Sequence, residues 1–363
     1  MRFNIDMDNG SRIVGWVLPD NPMVTPRVRV FFGDEERKTI EATHPRPGIK
    51  DSGLHDTGVC GFVLNEQNCK GITATSTLRI FDEESDVLIY QRRPKARLVD
   101  AKLFRIETQL LRASALNDVL TPSFQMSYAG VELLGQETIF NIIGIGFTTS
   151  ILAVGGIFFR AYEHSLRDRG FKTAIVLRDP FEELAERLLI LKWSATPQGM
   201  SASAYLGRTV ADAVHALRDV DLESPESIAA AFNKMDETAQ GVVFNTATRQ
   251  LACGAADEPL GDYPVSRALD SLSEFDVVGV RSNVRGFLDM CAAVLGLEQR
   301  IPDATLRLYP SVRGLAEQLR QMPAAAERIA MDLELYDAIT KAMNAVTDSP
   351  ASGRVRHIES RRT

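Results

Sequence analysis

A chain of 363 residues has room for two domains at the usual size of roughly 100–200 residues each. Its composition, 45% hydrophobic and 25% charged, is ordinary for a globular protein and excludes global disorder, and a net charge of −7 gives no support to a nucleic-acid-binding surface. Cys60, Cys69, Cys253 and Cys291 form no CxxC or metal-spaced pair, and the five histidines (His44, His55, His164, His215, His357) show no zinc pattern, so a reduced, cytoplasmic protein without a metal is expected.

The first residues carry no basic-then-apolar leader. Residues 1–93 read as an all-β sandwich. Short runs rich in β-branched residues (Ile13–Leu18, Val28–Phe32, Gly61–Leu64, Thr77–Phe81, Val87–Tyr90) alternate with Pro, Gly, Asn and Asp clusters. Arg92-Arg93-Pro94-Lys95 reads as a linker. Residues 94–345 then alternate strand-like and helix-like runs, the signature of an α/β domain with a central parallel sheet flanked by helices. Leu103–Ile106 is a strand feeding an amphipathic helix that stops near Thr121-Pro122, because the residue before a proline leaves the α region.

An uncharged run from Thr138 to Phe159 is long enough to raise the question of a membrane span. Its four glycines, Asn141 and the Thr148-Thr149-Ser150 cluster read instead as buried pieces broken by turns, so no integral span is expected. Phe171–Leu177 is a buried strand. It runs through Arg178 into Asp179-Pro180, a capping acid followed by a proline suited to the first helical turn. Helical runs follow around 201–218 and 223–237, 241–254 reads as a strand or loop with a polar centre, 273–297 as strand then helix, and 327–344 as a closing helix. The tail, 346–363, has little to bury and is expected to be disordered.

Several of these stretches together resemble the carbohydrate O-sulfotransferases, the group that includes the heparan-sulfate sulfotransferases. The stretches are LRDPFEELAERL around Arg178, NTATRQLACG from Asn245 to Gly254, FDVVGV with GFLDMCAAVLGL, and MDLELYDAI from Met331 to Ile339. The likeness spans residues 102–342 and implies a P-loop-like sulfotransferase fold. It also implies the donor 3′-phosphoadenosine 5′-phosphosulfate (PAPS) as cofactor and a carbohydrate or glycolipid acceptor. Gly15 to Pro19 and His55 to Leu64 are similar to a β-domain attached to bacterial polysaccharide-modifying transferases. By that likeness His44, Arg46, His55 and Asp56 mark a loop-borne sugar site; their plainer reading is as solvated loop residues.

The same resemblance assigns site residues and exposes departures. Arg178 falls on the arginine that binds the donor's 3′-phosphate, and Arg249 on that of the NTATR segment. The donor loop falls on Gln109 to Leu116, where the expected proline, lysine and glycines are missing and Arg112 and Ser114 are the candidate substitutes. A second register for that loop is Gly144 to Ser150. The base histidine's position holds Gly156, leaving His164 or Glu163 as candidates for a displaced base. Glu183 and Glu186 stand where the motif has arginine and serine, so Arg178 is expected to pair with one of them. These departures predict a sulfotransferase-like protein of polysaccharide or glycoconjugate metabolism with weak or absent PAPS binding, a pseudoenzyme. The alternatives are an active enzyme with a remodelled donor site and a transferase using another donor. Exposed helix faces near 201–237 and 311–344 would suit a homodimer. On this view Glu186→Ser is expected to leave stability nearly unchanged.

Overall fold

The structure is a computed structural model that describes residues 1–94, 98–199, 206, 210–304 and 306–347. Eight strands form the amino-terminal part: β1 (Arg2–Asp8), β2 (Arg12–Leu18), β3 (Arg27–Phe32), β4 (Glu35–Glu41), β5 (His44–Pro45), β6 (Val59–Asn65), β7 (Leu78–Asp82) and β8 (Leu88–Arg92). They make two antiparallel sheets, β1-β2-β6-β5 and β4-β3-β7-β8. Alternation drives the packing. On β2, Ile13, Gly15 and Val17 turn inward; on β3, Val28 and Val30 do. The sequence reading located five of these strands and missed β1, β4 and β5.

The second part holds five parallel strands in the order β10-β11-β9-β12-β13: β9 (Lys102–Ile106), β10 (Met126–Ala129), β11 (Ile151–Gly155), β12 (Phe171–Leu177) and β13 (Val277–Val280). Strands β9, β11 and β12 are buried along almost their whole length, as expected when helices cover both faces. The chain leaves β9 toward β10 on one side and leaves β12 toward β13 on the other. The strand order therefore reverses between β9 and β12, and that junction opens a crevice at their carboxyl ends.

Around the sheet lie α2 (Ser114–Leu120), α3 (Gln136–Gly144), α4 (Phe159–Asp168) and α5 (Pro180–Ser194), α1 being a single turn at Pro47–Asp51 in the sandwich. Among the described residues they are followed by α6 (Ala211–Leu217), α7 (Pro225–Lys234), α8 (Glu237–Val243), α9 (Thr246–Ala252), α10 (Pro264–Ser273), α11 (Val284–Val294), α12 (Pro310–Arg320), α13 (Pro323–Arg328) and α14 (Ala330–Thr347). The run around 223–237 holds α7, with Ser224 as its cap and Pro225 in its first turn; it ends at Lys234, and Asp236 accepts from the Ala239 amide to start α8. Residues 241–254 are not strand or loop but the end of α8 and all of α9. The run Thr138–Phe159 divides into α3, β11 and the first residue of α4, and no helix among the described residues is long and apolar enough to cross a membrane. Lys95 and the tail beyond Thr347 lie outside the described residues, as does most of 201–209.

One continuous core joins Phe62, Leu64 and Ile80 of the sandwich to Ile106, Tyr128 and Ile139 of the second part. The seam is also polar. Phe3 on the outer edge of β1 is bonded at both its amide and its carbonyl by the side chain of Asn141 on α3, at 3.3 and 3.2 Å.

Arg92 belongs to no linker. Its guanidinium holds Asp8 at 2.6 and 2.8 Å and donates to the carbonyls of Gly10, Ile72 and Thr75, while the Tyr90 hydroxyl donates to Asp8 at 2.7 Å. Burial alone would raise the Asp8 pKa, but its bonds to Arg92, Tyr90 and Gly10 outweigh this and lower it below the ordinary 3.8. A depressed carboxylate stabilises the fold above its unfolded pKa, and that contribution is lost as pH falls through the folded one. Asp8→Asn should therefore lower the melting temperature at neutral pH and flatten its decline below about pH 4; an unchanged acid limb in the variant would contradict this.

Candidate functional site

The crevice is built from three loops at the carboxyl ends of the strands. After the apolar run of β12 comes Arg178, then Asp179, whose carboxylate accepts from the amides of Phe181 and Glu182 at 3.0 and 3.2 Å and starts α5 with Pro180 in its first turn. This strand–turn–helix fixes Arg178 at the mouth, yet its side chain is only 4% exposed. Its two terminal nitrogens donate to the two oxygens of Glu186 at 2.7 and 2.9 Å, and one also reaches Glu183 at 3.4 Å. The other oxygen of Glu183 accepts from Arg187 Nε at 3.0 Å, and Arg187 continues to the carbonyls of Val242 and Thr108. The network thus ties α5 to α8 and to the loop after β9.

Burial works against the Arg178 charge, but the hydrogen bonds it donates to Glu186 and the fields of Glu183, Glu186 and Glu182 more than offset it, and its pKa is raised. Burial raises the Glu186 pKa, against the pull of Arg178. The bidentate geometry favours a charged pair.

The loop after β9 has its own internal anion. Glu107, 2% exposed, accepts from Arg105 at 2.7 Å and from the Ala113 amide at 2.9 Å, and Arg105 also donates to Asn117. A third carboxylate, Glu132, accepts from Arg112 Nε at 2.9 Å and from the Gly156 amide at 3.1 Å. Arg105, Arg112 and Arg178 and the amides of Ala113 and Gly156, donors of the kind a bound anion would use, are thus engaged by Glu107, Glu132 and Glu186.

Three of the sequence-derived candidates come together. Arg178, Arg112 and Ser114 line one cleft, open to solvent, with Gln109, Leu111, Glu186, Arg307 and Tyr309. Arg249 is elsewhere, on α9, donating to the Glu258 carbonyl at 3.0 Å. The two candidate bases lie outside the cleft on α4: His164 is 87% exposed and pairs with Asp168, and Glu163 pairs with Arg167. At Gly156 a side chain has little room, since a Cβ would sit 3.0 Å from Gln250 Nε2 and 3.2 Å from the Glu107 carbonyl. The second donor-loop register, Gly144 to Ser150, leads into the amino end of β11, at the opposite end of the strands from the crevice.

In the sandwich, His55 is not a solvated loop residue. It is 2% exposed, with Nδ1 accepting from the Gly58 amide at 3.2 Å. Arg46 spans Asp6 and the Gly15 carbonyl. The sequence reading passed over Glu107, Glu132, Arg307 and Tyr309. Glu107 carried a readable signal, an acid directly after a buried strand where a phosphate cradle would begin; the other three carried none. A smaller chamber behind Arg178 is lined by Thr108, Glu183, Asp332 and Tyr336. Asp332 lies within it, its pKa raised by burial against the bonds from Thr248.

No family model matches the chain, and no curated protein matches its sequence.

Proposed function

We propose that this is a sulfotransferase-like protein of glycoconjugate metabolism whose donor crevice is filled by its own carboxylates, and that it acts by binding rather than by PAPS-dependent transfer. The observation that carries this reading is the bidentate Arg178–Glu186 pair. Arg178 is the residue that the resemblance assigns to the donor's 3′-phosphate. A phosphate brought to within about 4 Å of Glu186 would meet a repulsion of roughly 4 kcal/mol per charge at an effective dielectric near 20. Displacing Glu186 instead would leave a buried carboxylate without its partner. Glu107 supports the same reading from the other side of the crevice, since it already holds the Ala113 amide that a phosphosulfate would need.

Calorimetric titration with 3′,5′-ADP, the donor product, tests this. No heat of binding is expected up to about 1 mM nucleotide, a free energy no better than about −4 kcal/mol. Micromolar binding by the unaltered protein would return the chain to the active-enzyme reading with a remodelled donor site.

A further inference from the structure

The cleft over the crevice has a charge balance and a surface chemistry that together specify a ligand. Three arginines line it: Arg112, Arg178 and Arg307. Arg112 is bonded to Glu132, and Arg178 to Glu186. Arg307 is exposed and has no partner among the described residues. Among the described residues the cleft therefore offers one uncompensated positive charge. Beside it are two large apolar side chains that the fold leaves in water, Leu111 at 43% and Tyr309 at 49% exposure. They come from chain segments almost 200 positions apart, the loop after β9 and the start of α12, and the fold brings them to one opening. Gln109 and Ser114 add neutral hydrogen-bonding groups. A few polar groups, an apolar face and one charge at a topological switch point are the make-up of a small-molecule site.

We infer that this cleft binds a small ring compound bearing a single carboxylate or sulfate-ester group, the anion on Arg307 and the ring against Tyr309 and Leu111. The inference rests on the proposed reading that Glu132 and Glu186 stand in for ligand anions. If they did not, the cleft would carry three free arginines and select a multiply charged nucleotide instead. A ligand with several phosphates would place all but one of its charges without a counter-charge. A neutral sugar or phenol would leave Arg307 unused.

Ligand-observed NMR titration of the full chain tests this, with phenyl sulfate and glucuronate as the two monoanions, phenol and glucose as neutral counterparts, and 3′,5′-ADP. At least one monoanion should bind with a Kd of about 1 mM or tighter, and its neutral counterpart at least tenfold more weakly. Which monoanion binds distinguishes an aromatic from a sugar ring. Arg307→Ala should weaken that binding about tenfold, and Tyr309→Ala should weaken it too. Both side chains are exposed, so an unchanged melting temperature separates lost contact from lost fold. The inference is overturned if neither monoanion binds at about 10 mM, or if Arg307→Ala leaves binding unchanged. Silent monoanions with silent 3′,5′-ADP sink the ligand assignment alone, whereas nucleotide binding tighter than either monoanion sinks the filled-crevice reading beneath it.

Discussion

Arg178→Ala should lower the melting temperature by roughly 6–20 °C. Removing one member of a buried ion pair costs about 3–5 kcal/mol, because the other charge stays behind without its partner, and each kcal/mol is worth about 2–4 °C in a domain of this size. In this variant two carboxylates, Glu186 and Glu183, are left facing one another, and Arg187 reaches only the second. Glu186→Ser should be destabilising as well, by less, since Glu183 remains near Arg178 at 3.4 Å. That reverses the expectation drawn from the sequence, which took position 186 for a degraded ligand contact. Its physical reason is burial, the Glu186 side chain being 5% exposed and committed to Arg178. The double variant Arg178→Met, Glu186→Leu should recover most of the loss, because it removes both charges and keeps the volume. A melting temperature for Arg178→Ala within about 2 °C of the parent would mean that the pair carries no structural weight.

Arg105→Ala should be comparably severe. Arg105 is a fully buried side chain on β9, the central strand of the parallel sheet, and it holds Glu107 and Asn117. One oxygen of Glu107 accepts from Arg105 and the Ala113 amide, and the other has no protein donor among the described residues. Truncation leaves a cavity beside a buried carboxylate that has lost its cation, about 3–5 kcal/mol. Urea unfolding should show a lower midpoint with an unchanged slope. Adding Glu107→Gln should restore part of the stability, because a neutral amide needs no counter-charge. If the second substitution made matters worse, the cost would lie in packing and not in charge.

How much was legible in the sequence differs between elements for identifiable reasons. The β12–α5 unit could be read because its signals are local: an apolar run, then Asp179-Pro180. Strand β4 could not, since EERKTIE is a charged edge strand with little to bury. Helix α9 was misread for a different reason. Its start, Asn245-Thr246-Ala247-Thr248, has poor helix formers at three of four positions, and the turn is held from a distance. Asp332 accepts from the Thr248 amide and hydroxyl, and Asn245 bonds to Arg328, Met331 and Asp332. The same division runs through the site. The pairing of Arg178 with Glu186 was foreseeable because strand end and second helical turn lie eight residues apart. The bonds that Glu132 accepts from Arg112 and Gly156 span 20 and 24 residues and left no local trace.

The contact between Asn141 and Phe3 also has a consequence in time. The two residues are 138 positions apart. At a synthesis rate of about 5–20 residues per second, β1 leaves the ribosome on the order of ten seconds before the side-chain amide that pairs Phe3 on its outer side. Until then the edge of β1 presents the unpaired amide and carbonyl of Phe3, the kind of groups that recruit a strand from a neighbouring chain. The sandwich is therefore safest when the helix bearing Asn141 follows without delay, and slow synthesis between the two segments is a hazard built into the order of the chain.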